Sequence, residues 1–192
     1  MNSWRAFVRI GKTAGLSLEE MKRAIFFDRD GTLMEEVYYC NDPAKVRAIS
    51  GAADALARLR AAGWLNVIVT NQSGIASGKI SLEQYEAVQS ELVRQLRASI
   101  DAVYFCPDSP SAPTPRRKPG IGMLLEAAAD HDLDLTSCWM VGDRDLDIQC
   151  GRSAGCRTIL VRTGYGNENT HAGADFEATD VVMAAEIILS HS

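Results

Sequence analysis

No stretch of this 192-residue chain is apolar for long enough to cross a membrane as a helix. The N-terminus also lacks the apolar segment of a secretory signal. Disulfide patterning is missing too. The five cysteines, at 40, 106, 138, 150 and 156, are odd in number, and none pair as Cys-x-x-Cys. That usage reads as reduced thiols in a cytosol-like compartment. Positive charge is in short supply, with 20 Lys and Arg against 25 Asp and Glu. A net charge of −5 argues against nucleic acid as the main partner. The run Arg116-Arg117-Lys118 is read instead as serving a local anion. There is no internal repeat and no second hydrophobic core.

The composition is otherwise globular. Apolar residues make up 46% of the chain, enough for one α/β domain with a substantial core. Residues 1–20 carry Arg5, Arg9 and Lys12 and no acid until Glu19, a pattern faintly like a transit peptide. The plainer reading is an N-terminal extension ahead of a single domain at 21–192.

The most informative segment runs from Arg23 to Met34. Ala24-Ile25-Phe26-Phe27 has the length of a buried strand. It ends in Asp28 and Asp30, with only Arg29 between them, and then Gly31. Such carboxylates repel unless a cation lies between them or one keeps its proton. On these residues alone, an Asp-rich turn is an equally good reading. Three further polar clusters change the balance, because each also follows a strand-like run. Leu65–Val69 leads to Thr70-Asn71-Gln72-Ser73-Gly74. Ala102–Cys106 leads through a proline-rich loop to Arg116-Arg117-Lys118-Pro119-Gly120. Cys138–Val141 leads to Gly142-Asp143-Arg144-Asp145-Leu146-Asp147.

Strand-like and helix-like segments alternate, which predicts βα units and a parallel sheet. Helices are expected over 51–62, after Ser81, over 120–131 and over 145–154. In the second of these, Leu82, Tyr85, Val88 or Gln89, Leu92 and Leu96 form a core stripe. A fifth strand is expected over 157–162, then a weaker strand over 180–183 and a final helix. The gaps between the polar clusters are filled by these elements, with no room for an inserted domain.

The order Asp, Thr, Lys, Asp after successive strands resembles the haloacid dehalogenase-like (HAD) superfamily of aspartate-nucleophile phosphohydrolases. The resemblance runs from Phe27 to Asp147 and implies a Rossmann-like fold: a central parallel sheet flanked by helices, here with no cap domain. It implies Asp28 as nucleophile, Asp30 as general acid and base, Thr70 as a hydroxyl donor to the phosphoryl group, and Lys118 as a fixed positive charge. It places Mg²⁺ between Asp28, Asp143 and the backbone carbonyl of Asp30, with Asp147 behind them orienting a water.

Asp-Arg-Asp-Gly-Thr, Thr-Asn-Gln-Ser-Gly-Ile-Ala and Arg-Lys-Pro resemble, more narrowly, the heptose-bisphosphate and histidinol-phosphate phosphatases. By that resemblance Glu36, Val37, Tyr38 and Tyr39 contact substrate, as do Asn71, Gln72 and Ser73. Arg117 would hold its non-reacting end, and Arg144 would lie beside the metal aspartate. These families carry Cys-x-His and Cys-x-Cys zinc ligands ahead of Arg-Lys-Pro, where this chain has Cys106-Pro107-Asp108 and Thr114-Pro115-Arg116. No structural zinc is therefore expected, and prolines would stiffen the loop. The expectation is a monomeric, cytoplasmic, Mg²⁺-dependent phosphatase of a small phosphorylated metabolite, with neither nucleic acid nor membrane as partner. D-glycero-D-manno-heptose 1,7-bisphosphate, cleaved at C7, is the first candidate. Histidinol phosphate, another small phosphate ester, a phosphotransfer reaction, and a non-catalytic phosphate-binding scaffold are the alternatives.

Overall fold

The computed structural model describes residues 22–168 and 173–191. The expected N-terminal extension, 1–20, lies outside the described residues. Six strands form one all-parallel sheet. They are β1 (Arg23–Phe27), β2 (Trp64–Asn71), β3 (Ala102–Cys106), β4 (Trp139–Gly142), β5 (Arg157–Val161) and β6 (Phe176–Ala178), in the order β3-β2-β1-β4-β5-β6. Six helices connect them or follow: α1 (Ala52–Ala61), α2 (Ser73–Ala76), α3 (Leu82–Gln95), α4 (Gly122–His131), α5 (Asp145–Ser153) and α6 (Val181–Ser190). Among the described residues, no helix is long and apolar enough to cross a membrane.

β1 lies at the centre, and Ala24, Ile25, Phe26 and Phe27 are all fully buried. A strand covered on both faces reads as a continuous apolar run, which is why it stands out in the sequence. Its side chains alternate between the apolar layers on the two faces of the sheet. Ile25 and Phe27 pack with Leu56, Leu59, Val88, Leu92 and Ile188 under α1, α3 and α6. Ala24 and Phe26 face Met123, Leu124, Ala127 and Cys150 under α4 and α5. Each fully buried side chain of this size contributes roughly 1.5–3 kcal/mol. All five cysteines are free and buried, as small apolar groups of these layers.

α3 begins as the sequence indicates. Ser81 caps it in a reciprocal box, its hydroxyl accepting from the Gln84 amide and the Gln84 side chain accepting from the Ser81 amide. Three local readings need correction. The strand expected over 180–183 is the first turn of α6, and the sixth strand lies earlier, at Phe176–Ala178. Asp180 decides this, because its carboxylate caps the amides of Val182 and Met183. Residues 120–121 precede the fourth helix, since Gly120 and Gly122 are tied back to Arg117 and Pro115 in a turn. Finally, a short helix, α2, forms between β2 and α3, where no helix is expected from the sequence.

The strand order fixes where chemistry can occur. β1 has β2 on one side and β4 on the other, so the chain reverses its winding direction at β1 and β4. In parallel sheets the crevice beyond the strand ends at such a switch point is the ligand site.

Candidate active site

Asp28 follows β1 directly, and its amide donates to the carbonyl of Val141 on β4 at 2.9 Å. Asp143 follows β4, and Asp147 stands in the first turn of α5. Ligand oxygens of Asp28, Asp143 and Asp147 all lie within 4.8 Å of one another. Lys118 reaches in from the loop after β3. Its ammonium donates to Asp28 Oδ1 at 2.6 Å and to the Val69 carbonyl at 2.8 Å, and it lies 2.6 Å from Asp147 Oδ1. Lys118 is 2% exposed, Asp28 8%, and Asp143 and Asp147 are fully enclosed.

Three enclosed carboxylates share this one ammonium, which touches two of them. Burial pushes the Asp143 carboxyl up to about 8, with Asp28 and Asp147 adding to the shift. Burial likewise raises Asp28 to about 7, against the pull of Lys118. Without a cation, Asp28 and Asp143 are thus disfavoured as a fully ionised pair at neutral pH. A cluster of hard oxygens short of positive charge fits a divalent cation such as Mg²⁺.

The backbone is shaped around Asp143. A side chain at Gly31 would begin 2.4 Å from Asp143 Oδ2, and one at Gly164 only 2.3 Å from it. Both glycines also have positive φ, at +81° and +52°. The amide of Tyr165 donates to the same oxygen at 2.7 Å.

Asp30 has different partners from the three clustered carboxylates. Arg29 folds back on its neighbour, its Nε donating to Asp30 Oδ2 at 2.9 Å and its Nη2 to Oδ1 at 3.0 Å. The Asp30 carboxylate is thus held by a guanidinium, outside the three-carboxylate cluster. Thr70, at the end of β2, is 1% exposed and accepts from Gln72 Nε2 at 2.9 Å.

The cleft above this floor is lined by every substrate contact that the resemblance implied. Glu36, Val37, Tyr38 and Tyr39 come from the loop after β1. Asn71, Gln72 and Ser73 come from the junction of β2 and α2, and Arg117 and Arg144 from the loops after β3 and β4. Tyr38 is 74% exposed and meets Tyr39 edge-on, with ring centres 4.3 Å apart. Burial, then the nearby Asp30, raises the Glu36 carboxyl above its ordinary value. Arg117 donates to the Asp108 carbonyl at 3.0 Å. The Asp108 side chain in turn takes both the amide and the hydroxyl of Thr114, closing the loop on itself. Arg144 lies over the Tyr165 ring at 3.9 Å, while its amide donates to Asp147 Oδ2.

Sequence reasoning passed over several lining residues: Arg29, Cys40, Gly74, Ile80, Leu146 and Tyr165. Arg29 sat inside the most informative motif but was read only as a spacer. Tyr165 follows the fifth strand, so the strand-end rule that found the other clusters would have found it. The contact of Asp147 with Lys118 was also unforeseen, since it depends on a loop-to-helix approach that spacing does not reveal.

Residues 115–186 match the profile of the HAD-hydrolase-like family. A D-glycero-D-manno-heptose-1,7-bisphosphate 7-phosphatase of Thermosynechococcus vestitus is 42% identical over 189 residues, spanning 88% of this chain and 96% of that one. The D-glycero-beta-D-manno-heptose-1,7-bisphosphate 7-phosphatase of Bordetella bronchiseptica is 33% identical, over 88% of this chain and 99% of its own. The crystal structure of the D,D-heptose 1,7-bisphosphate phosphatase of B. bronchiseptica, complexed with magnesium and phosphate, superposes with a TM-score of 0.82 over 90% of this chain and all of that one. The chain is thus a HAD-type phosphatase, and it belongs to the family of the heptose-1,7-bisphosphate 7-phosphatases.

Proposed function

We propose that the protein hydrolyses the 7-phosphate of D-glycero-D-manno-heptose 1,7-bisphosphate, with Mg²⁺ as cofactor. The observation that carries this reading is the contact of the Lys118 ammonium with both Asp28 and Asp147, beside the enclosed Asp143. That proximity supports Asp28 as nucleophile, Lys118 as fixed cation and Asp143 as cation-binding carboxylate acting at one point of the crevice. The relatives described above support the choice of sugar.

Phosphate monoester hydrolysis is among the slowest uncatalysed reactions, and it is accelerated mainly by positioning and charge neutralisation. Asp28 attacks phosphorus, and the bond from phosphorus to the sugar oxygen breaks as an aspartyl-phosphate forms. Asp30 gives its proton to the departing oxygen. In the second half it takes a proton from the water that attacks the aspartyl-phosphate, which returns the Asp28 carboxylate and releases phosphate. Thr70 donates its hydroxyl to a phosphoryl oxygen, and Lys118 balances the charge that develops there. Asp28, Asp143 and the Asp30 carbonyl would hold Mg²⁺, whose contribution when bound is to neutralise phosphoryl and carboxylate charge.

Arg117 and the rim residues 36–39 are assigned to the remainder of the sugar phosphate. We read the enzyme as cytoplasmic and directed to a metabolite, a reading supported by its acidic balance and five free, buried cysteines, and as a monomer. The test is phosphate release from the heptose bisphosphate, histidinol phosphate and p-nitrophenyl phosphate, with Mg²⁺ and after chelation. Fastest release from the heptose bisphosphate, lost on chelation, is the expected result. Preference for histidinol phosphate would reassign the substrate. Phosphoryl transfer to an added alcohol without free phosphate would reassign the reaction.

A further inference from the structure

Gln72 is 5% exposed and lies at the meeting point of three polar side chains. Its Oε1 accepts from Arg29 Nη2 at 3.1 Å. Its Nε2 donates to Asp30 Oδ2 and to Thr70 Oγ1, both at 2.9 Å. The orientation of this amide follows from chemistry. A guanidinium only donates, so the amide oxygen must face Arg29 and the NH₂ group must face Asp30 and Thr70. Both amide hydrogens are then committed.

Two consequences follow for the atoms of the reaction. Asp30 Oδ2 receives two donors, Arg29 Nε and Gln72 Nε2, whereas Oδ1 receives only Arg29 Nη2. Oδ1 is therefore the oxygen with capacity left to carry a proton. Thr70 Oγ1 accepts from Gln72, so its own hydrogen is turned away from that amide and left for another acceptor. Arg29 makes the arrangement rigid. It is 1% exposed, forked onto Asp30, and lies with its guanidinium carbon 5.4 Å from the Tyr85 ring centre.

We propose that Gln72, its amide fixed by Arg29, is a positioning residue: it leaves Oδ1 of Asp30 to handle the proton and turns the Thr70 hydroxyl hydrogen toward the phosphoryl group. This rests on the hydrolase reading above. It replaces the direct substrate contact implied for Gln72 by a contact with the groups that act on substrate.

The variants Gln72→Leu and Gln72→Glu separate the roles. Leucine removes the hydrogen bonds at similar volume. Glutamate keeps the shape but presents an acceptor where the NH₂ group was, opposing Asp30 Oδ2 and drawing the Thr70 hydrogen away from phosphate. With the sugar phosphate as substrate, kcat should fall on the order of 10–100-fold in both variants, with KM little changed. Gln72→Glu should be at least as slow as Gln72→Leu, although it is the better isostere. The loss should be smaller with p-nitrophenyl phosphate, whose leaving oxygen needs less protonation. Thermal melts of each variant check the fold, and if Gln72→Glu fails to fold, the kcat-against-KM split of Gln72→Leu decides. A rise in KM at unchanged kcat would make Gln72 a substrate contact and overturn the proposal, as would a Gln72→Glu enzyme faster than Gln72→Leu. A wild-type protein inert toward both esters would overturn the hydrolase reading and the proposal with it. An active wild type with indifferent Gln72 variants would overturn the proposal alone.

Discussion

Asn71 and Lys118 clasp each other through backbone and side chain. Asn71 Nδ2 donates to the Lys118 carbonyl at 3.0 Å, and the Lys118 amide donates to Asn71 Oδ1 at 3.0 Å. The clasp joins the end of β2 to the loop after β3 and so sets the height at which the ammonium meets Asp28. Asn71→Leu should therefore slow every phosphate ester alike, by roughly 10–100-fold, because a displaced cation is a defect common to all substrates. Comparing kcat/KM for the sugar phosphate and p-nitrophenyl phosphate checks this. A loss confined to the sugar phosphate would mean that Asn71 acts on the sugar instead.

Asp28→Asn should abolish turnover and leave the fold intact, since it keeps the shape and removes the nucleophile. It also removes one of three crowded negative charges, so the metal-free variant should melt no lower than wild type. Phosphate release near the wild-type rate would end the covalent mechanism.

Arg117→Ala should weaken the bisphosphate far more than p-nitrophenyl phosphate. A guanidinium grips a remote anion through two hydrogen bonds, and the generic ester offers no such anion. Equal losses in kcat/KM for the two substrates would place Arg117 at the reacting phosphate or in the loop's architecture.

Purified protein should contain far less than one zinc per chain, and chelation should leave the loop at 107–117 in place. Tetrahedral zinc needs four good ligands, and around Cys106 the loop offers Asp108, Thr114 and Arg116. The Asp108 carboxylate is already engaged by Thr114. Asp108→Ala is accordingly the change that should free Arg117 and mimic part of Arg117→Ala. Stoichiometric zinc bound through Cys106 would refute this account.

The carboxylate cluster should also govern how stability varies with pH in metal-free protein. Asp28 near 7 and Asp143 near 8 stand well above the ordinary 3.8. The folded state thus holds protons that the unfolded chain releases. Their contribution to stability is complete below about pH 4 and is lost as pH rises through the folded values. The melting-temperature contribution of this cluster should fall from about pH 4 to about pH 8, and Asp143→Asn should flatten that slope. Added Mg²⁺ should stabilise most at the alkaline end, where it no longer competes with protons. A wild-type slope no steeper than that of Asp143→Asn would contradict this.

The parts of the site that lie along the chain were legible in its sequence. Asp28, Lys118 and Asp143 each come after a strand and Thr70 lies at the end of one, and a buried parallel strand advertises itself as an apolar run. What could not be read were contacts made by side chains doubling back. Arg29 reaches its own neighbour, and Asp147 meets a lysine from another loop. The misread strand at 180–183 has the same character. Val181-Val182-Met183 suits a strand by composition, but the Asp180 carboxylate reaches forward to cap two amides and starts a helix.

The setting of Lys118 bears on covalent chemistry. Burial alone would favour a neutral amine, but Asp147 and Asp28 outweigh it and hold the proton more firmly than an ordinary lysine does. Acylating reagents need the lone pair of an unprotonated amine. Lys22, Lys45 and Lys79 are exposed and within reach of such reagents, while Lys118 keeps its proton and is sealed from solvent. Chemical or enzymatic acetylation would thus strip charge from the protein's surface and leave the cation of the crevice untouched.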